Sequence, residues 1–188
     1  MQNPIARFRP ITLIAAALVA VALLAGGIYW FGPQRLLTTR TADDALPGAV
    51  LGSTDPTGAP AGQDPSGEPA ADLSTVAAGS FRSLAHGTSG SAKIVTVPDG
   101  SAFLRIEDLD SLDGPDLRVY LSSAPGDAED AAFGEANLVA DLGTLRANQG
   151  NLTYEIPAGV DLGSVRSVSI WCRRFEVGFG VAGLEPSA

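Results

Sequence analysis

Three patterns of hydrophobic and polar positions follow one another along the chain of 188 residues. From Ile11 to Phe31 the run ITLIAAALVAVALLAGGIYWF carries no charge, and Thr12 is its one aliphatic hydroxyl. As a helix at about 1.5 Å per residue it would be roughly 31 Å long, close to the hydrocarbon thickness of a bilayer. Tyr29, Trp30 and Phe31 close it with aromatic types that favour a membrane interface. Buried core helices seldom run so long without a charge. A cleaved secretory signal is the stronger rival, with Arg7 and Arg9 as its basic region. Against it, the apolar run exceeds the usual h-region of about 7 to 15 residues, and no small-x-small site with a polar start after it precedes Tyr29. The pattern predicts an uncleaved signal anchor over residues 11–31, with residues 1–10 as a cytoplasmic tail. Arg7, Arg9 and the α-amino group outweigh Arg35 and Arg40, so the rest of a single-pass protein of the cell membrane is expected outside the cytoplasm.

The second pattern has almost no hydrophobic periodicity. Residues 47–70 hold five Pro and five Gly, and no aromatic residue occurs from Gly32 to Ser80. Such a stretch buries too little apolar surface to offset the entropy of ordering it. Residues 32–78 are therefore predicted to be a disordered linker, with a root-mean-square reach of about 35 Å over residues 38–78.

From Gly79 to Ala188 the pattern shortens to runs that suit strands: residues 93–97, 102–106, 117–121, 152–156, 167–172 and 176–184. Turn signals separate them, among them Pro98-Asp99-Gly100, Asp113-Gly114-Pro115 and Pro157-Ala158-Gly159. Asp127 to Phe133 suits a short helical turn. Seven or eight short strands without a sustained helical period predict an all-β domain over residues 79–188, an antiparallel β-sandwich or barrel.

Composition then narrows the chemistry. The net charge of −9 divides into +2 before residue 32, −4 in the linker and −7 in the domain. An acidic domain repels nucleic acid, whose binding needs clustered Lys and Arg. One cysteine, Cys172, excludes an intrachain disulfide, and with one histidine, His86, it supplies too few ligands for a structural zinc. Asp108, Asp110, Asp113 and Asp116 lack the ligand set of a calcium loop and read as a solvated acidic turn. No G-x-S-x-G elbow occurs, and His86 would be the only base for a triad. Asn151-Leu152-Thr153 is a formal sequon, but 11 Arg against one Lys points to a GC-rich bacterial genome, where it carries no meaning.

Several segments resemble the DM13 domain family. They are Gly79-Ser80-Phe81, Leu84-Ala85-His86-Gly87 with Gly90, and Gly114-Pro115-Asp116-Leu117 leading into Val119-Tyr120-Leu121. Later come Asp141-Leu142-Gly143 with Leu145, then Gly150, Tyr154 and Ile156-Pro157. Last is Ile170-Trp171-Cys172, followed by Phe175, Val177, Phe179-Gly180, Ala182 and Leu184. The resemblance covers residues 79–185 and implies a β-sandwich taking part in electron transfer. It further implies that Cys172 works as a naked thiol or as a ligand to a prosthetic group such as haem. The chain resembles a single-copy, membrane-anchored member, with no DOMON or cytochrome b561-like segment, so a redox partner is expected to be a separate molecule.

The residues around Cys172 allow more than one reading. Alternation puts Val168, Ile170 and Cys172 on one strand face, with Ser167, Ser169, Trp171 and Arg173 on the other. The parity of Phe175, Val177, Phe179 and Val181 reverses, which an extra residue at Arg173-Arg174 would explain by bringing Cys172 and Phe175 to one face. Arg173 and Arg174 would favour the thiolate. Equally, a free cysteine is among the most buried residue types, and an unpaired one outside the cytoplasm can form an intermolecular disulfide. His86 reads either as a second cofactor ligand or as a polar turn residue. The expected function is a membrane-tethered redox module rather than an enzyme, with a cell-envelope binding or structural module as the alternative.

Overall fold

The computed structural model describes residues 10–31, 38–46 and 73–187. The expected cytoplasmic tail, apart from Pro10, and residues 32–37 and 47–72 of the expected linker lie outside them. Helix α1 spans Pro10–Phe31, and its side chains are described from Ile14 to Gly27 and at Tyr29. Among the described residues no helix is long and apolar enough to cross a membrane.

Ten strands follow: β1 (Thr41–Asp43), β2 (Ser74–Ser83), β3 (Thr88–Thr96), β4 (Ala102–Ser111), β5 (Leu117–Ser122), β6 (Leu138–Thr144), β7 (Gln149–Ile156), β8 (Ser167–Cys172), β9 (Val177–Gly183) and β10 (Glu185–Pro186). The all-β expectation holds for the domain, but not as two separate antiparallel sheets. One curled sheet runs in the order β1-β7-β4-β3-β2-β9-β8-β5-β6, with β10 also on β2. It is mixed, because β1 lies parallel to β7.

The physical reason is β2, which serves both halves of the sheet. Its residues Ala77 and Ala78 pair with β10, and Phe81 to Ser83 pair with β9. Between these pairings β2 crosses the kink that separates β9 from β10. A Cβ on Gly79 would lie 1.8 Å from the carbonyl oxygen of Gly183, so only glycine permits that approach. The curl turns both halves onto one core. Ile94, Leu104, Ile106 and Leu152 come from one half, and Leu117, Val119, Leu121, Ile170 and Phe179 from the other.

Two boundaries differ from expectation. β2 starts at Ser74, ahead of Gly79, and β1 lies inside the segment read as linker. The expected helical turn is present as a 3-10 turn over Asp130–Phe133.

Candidate functional site

β8 is buried along its whole length, which polar alternation alone would not produce. Val168, Ile170 and Cys172 face the main core, as their spacing predicts. The opposite face is roofed by the segment between β5 and β6. There Trp171 and Tyr120 pack with Ala124, Phe133 and Val181. Two serines fasten this roof: Ser167 Oγ donates to the carbonyl of Ala124 at 2.7 Å, and Ser169 Oγ to that of Phe133 at 3.2 Å. Burial pushes the Tyr120 phenol up, and the Asp141 carboxylate adds to the shift.

Cys172 ends β8, opposite Leu117 on β5 and Val177 on β9. Its exposure is 0%. Directly after it the chain turns through Arg173 to Glu176, and Glu176 takes φ 52°. The expected extra residue is not in this turn. It is Phe179, because the register steps from Ile170 opposite Gly180 to Trp171 opposite Gly178. That bulge turns Phe179 into the main core with Cys172, while Phe175 stands half-exposed on the turn. A bulge re-aims the side chain it carries, and here it re-aims an aromatic ring toward the loop that bears His86.

His86 lies in the β2–β3 loop, half-buried, with its ring centroid 4.1 Å from that of Phe179 at an interplanar angle of 46°. The loop is laced to β9 by Leu84 N–H donating to Phe179 O at 2.9 Å and Ala85 N–H to Gly178 O at 3.0 Å. β9 therefore stands between the His86 loop and β8. Two strand spacings amount to about 10 Å. The His86 ring rests on Phe179, and among the described residues no hydrogen bond joins imidazole to thiol.

The two arginines after Cys172 are placed at the surface. Arg173 Nε donates to Asp116 Oδ2 at 3.0 Å, with the Arg173 side chain 52% exposed. Its charge is thus engaged by a carboxylate in solvent instead of lying bare beside the sulfur. Arg174 is exposed.

A pocket of about 360 Å³ lined by Ala131, Gly134, Glu135, Trp171, Arg173 and Glu176 opens on the roofed side of β8. Cys172 points away from it, because adjacent strand residues face opposite ways. A haem held through Cys172 would need a slot beside a sulfur that is fully enclosed, and the imidazole is a strand away. The residues do not fit that group. Among the described residues no three His, Cys, Asp or Glu side chains gather as a metal site.

One acidic residue departs from the solvated reading. Asp113 is 1% exposed and pairs with Arg40, Nη2 to Oδ1 at 2.7 Å. The pair is not legible in the sequence, because its two members lie in segments that read separately as linker and as surface turn.

The family described as Electron transfer DM13 matches residues 80–184, more than half of the chain. No curated protein and no solved structure matches it.

Proposed function

The chain belongs to the Electron transfer DM13 family, and from that premise we propose that it is a membrane-tethered, extracytoplasmic redox module whose working group is the Cys172 thiol. The observation that carries the reading is the position of that thiol. It is the last residue of β8, next to a surface turn and in the same core as Phe179, against which the His86 ring is laid. As a thiol it would exchange with a partner's disulfide. The Cys172 sulfur bonds to one partner sulfur, the partner's S–S bond breaks, and the second sulfur leaves as a thiol carrying the displaced electron pair and a proton. Because the sulfur is enclosed, the Arg173–Glu176 turn must lift for that attack.

The anchor part of the proposal rests on the uncharged stretch of residues 11–31 and on the outward aliphatic side chains of α1. Ile14, Leu18, Val19, Val21, Leu23 and Leu24 are each more than half exposed, an arrangement that costs free energy in water and none in lipid.

A second reading is favoured by one observation, the complete burial of Cys172. In it the thiol only fills the core of a non-catalytic cell-envelope module. The experiment is treatment of the full chain in lipid vesicles with a small aromatic disulfide just below pH 8. The redox reading expects one equivalent of released aromatic thiol per folded wild-type chain and none from Cys172→Ala. Release only after unfolding would establish the second reading in its place. Added haem is expected to give no Soret shift that depends on Cys172.

A further inference from the structure

The segment that follows α1 in the chain is bonded to the β7 edge through both backbone and side chains. Arg40 opens it. Its N–H donates to Asn148 Oδ1 at 2.7 Å, and its carbonyl accepts from the N–H groups of Asn148 and Gln149 at 3.0 and 3.1 Å. Its guanidinium reaches the buried Asp113. β1 then runs along β7, with Thr41, Ala42 and Asp43 opposite Gln149, Gly150 and Asn151. Gly150 has φ +95°, and a Cβ there would lie 2.1 Å from the Ala42 carbonyl oxygen. Asp44 closes the segment: its N–H donates to Asn151 O at 2.9 Å, and its carboxylate accepts from Thr153 N–H at 2.9 Å and from Arg146 Nη2 at 2.6 Å. Arg105, 6% exposed, turns its guanidinium to the carbonyl of Asp44 and to Thr153 Oγ1. Without this segment β7 would be an open edge, a liability that sheets generally cover.

The position of this docking in the chain gives it a mechanical consequence. Eight residues, 32–39, separate Phe31 from Arg40, and fully extended they span at most about 28 Å. With β1 undocked, the link from α1 to β2 would be residues 32–73, with a limit of about 145 Å. We infer that β1 is a strap that holds the β7 edge of the domain at the end of α1, so that the electron partner is a membrane-resident molecule and not one reached at a distance. The inference rests on the reading of α1 as a membrane anchor.

The test uses the full chain in phosphatidylcholine vesicles containing an acceptor-labelled lipid, with a donor dye on a cysteine introduced by Glu155→Cys in a Cys172→Ala background. It compares this chain with one also carrying Arg40→Ala and Asp44→Ala, and with one carrying Gly150→Val, which attacks the strap from the β7 side. Amide exchange at Asp44, Asn148 and Gln149 is followed in parallel. These amides should exchange at least about tenfold faster in both strap variants while Ile170 stays protected, and energy transfer to the bilayer should fall. Equal exchange in all three chains, or unchanged energy transfer despite released amides, would overturn the strap. Amides protected in the chain with the intact strap and released in both strap variants, with no energy transfer to lipid in any of the three, would leave β1 docked but overturn the anchor, and with it the inferred partner.

Discussion

Arg40→Ala and Asp113→Ala break the same ion pair, and the structure makes their costs unequal. Asp113 is enclosed: Oδ1 accepts from Arg40 Nη2 at 2.7 Å and from Gly114 N–H at 2.8 Å, and Oδ2 has no protein partner. The Arg40 side chain is 38% exposed. Removing Arg40 leaves a carboxylate buried without a counter-charge, a change that costs on the order of 3–5 kcal/mol when nothing relaxes. Lifting β1 to let water reach Asp113 sets the upper limit, because that sacrifices the Asp44 contacts instead. Removing Asp113 frees a guanidinium that can turn into solvent, so the loss is a charge-assisted hydrogen bond and the partner of the Gly114 N–H, about 1–3 kcal/mol. The double variant should therefore be more stable than Arg40→Ala alone by roughly 1–3 kcal/mol, since it removes the stranded charge. Urea unfolding of the full chain in detergent, followed by near-UV circular dichroism, measures this as midpoint shifts at constant slope. A double variant no more stable than Arg40→Ala, or an Arg40→Ala chain as stable as wild type, would show that no charge is stranded at Asp113.

Other outcomes follow from the same contacts. Cys172→Ala removes one enclosed sulfur and should cost about 1 kcal/mol, lowering the melting temperature by roughly 4–8 °C in calorimetry. Gly180→Ala would place a Cβ 2.6 Å from the Thr88 Cβ, and overpacking of this kind should cost about 1–3 kcal/mol in the same urea assay. Burial pushes the Tyr154 phenol above its ordinary value of 10.0, against the lowering effect of Arg146, whose N–H it accepts while donating to the Thr144 carbonyl at 3.2 Å. A raised acid stabilises the fold in its neutral form, so this contribution is complete below about pH 10 and lost as pH rises through the folded value. Urea midpoints should fall above pH 10, and Tyr154→Phe should flatten that fall at the expense of lower stability at pH 7.

Much of the site is visible in the alternation of β8. Val168, Ile170 and Cys172 share a face because strand residues two apart must, and their apolar character identifies that face as the core. The opposite face is not legible. Ser167 and Ser169 look solvent-facing by their polarity, yet they are buried because they hold the carbonyls of Ala124 and Phe133 in a roof contributed from more than 30 residues earlier. Asp113 is hidden for a similar reason. Asp-Gly-Pro reads as an exposed turn, and its burial depends on Arg40, 73 residues away. β1 has three residues and no hydrophobic alternation, so only the partners waiting on β7 make it a strand. Phe175 through Val181 alternates without a break, and the bulge at Phe179 that splits this run is set by the register with β8, which no local pattern records.

In the proposed function Cys172 carries the electrons. The most direct test is coulometric titration of the folded full chain in vesicles, begun from the mixed disulfide with a small thiol and mediated by soluble couples. Two electrons taken up per chain by the wild type and none by Cys172→Ala is the expected result. Equal uptake by both chains, or none by a wild-type chain shown to be folded, would contradict the account.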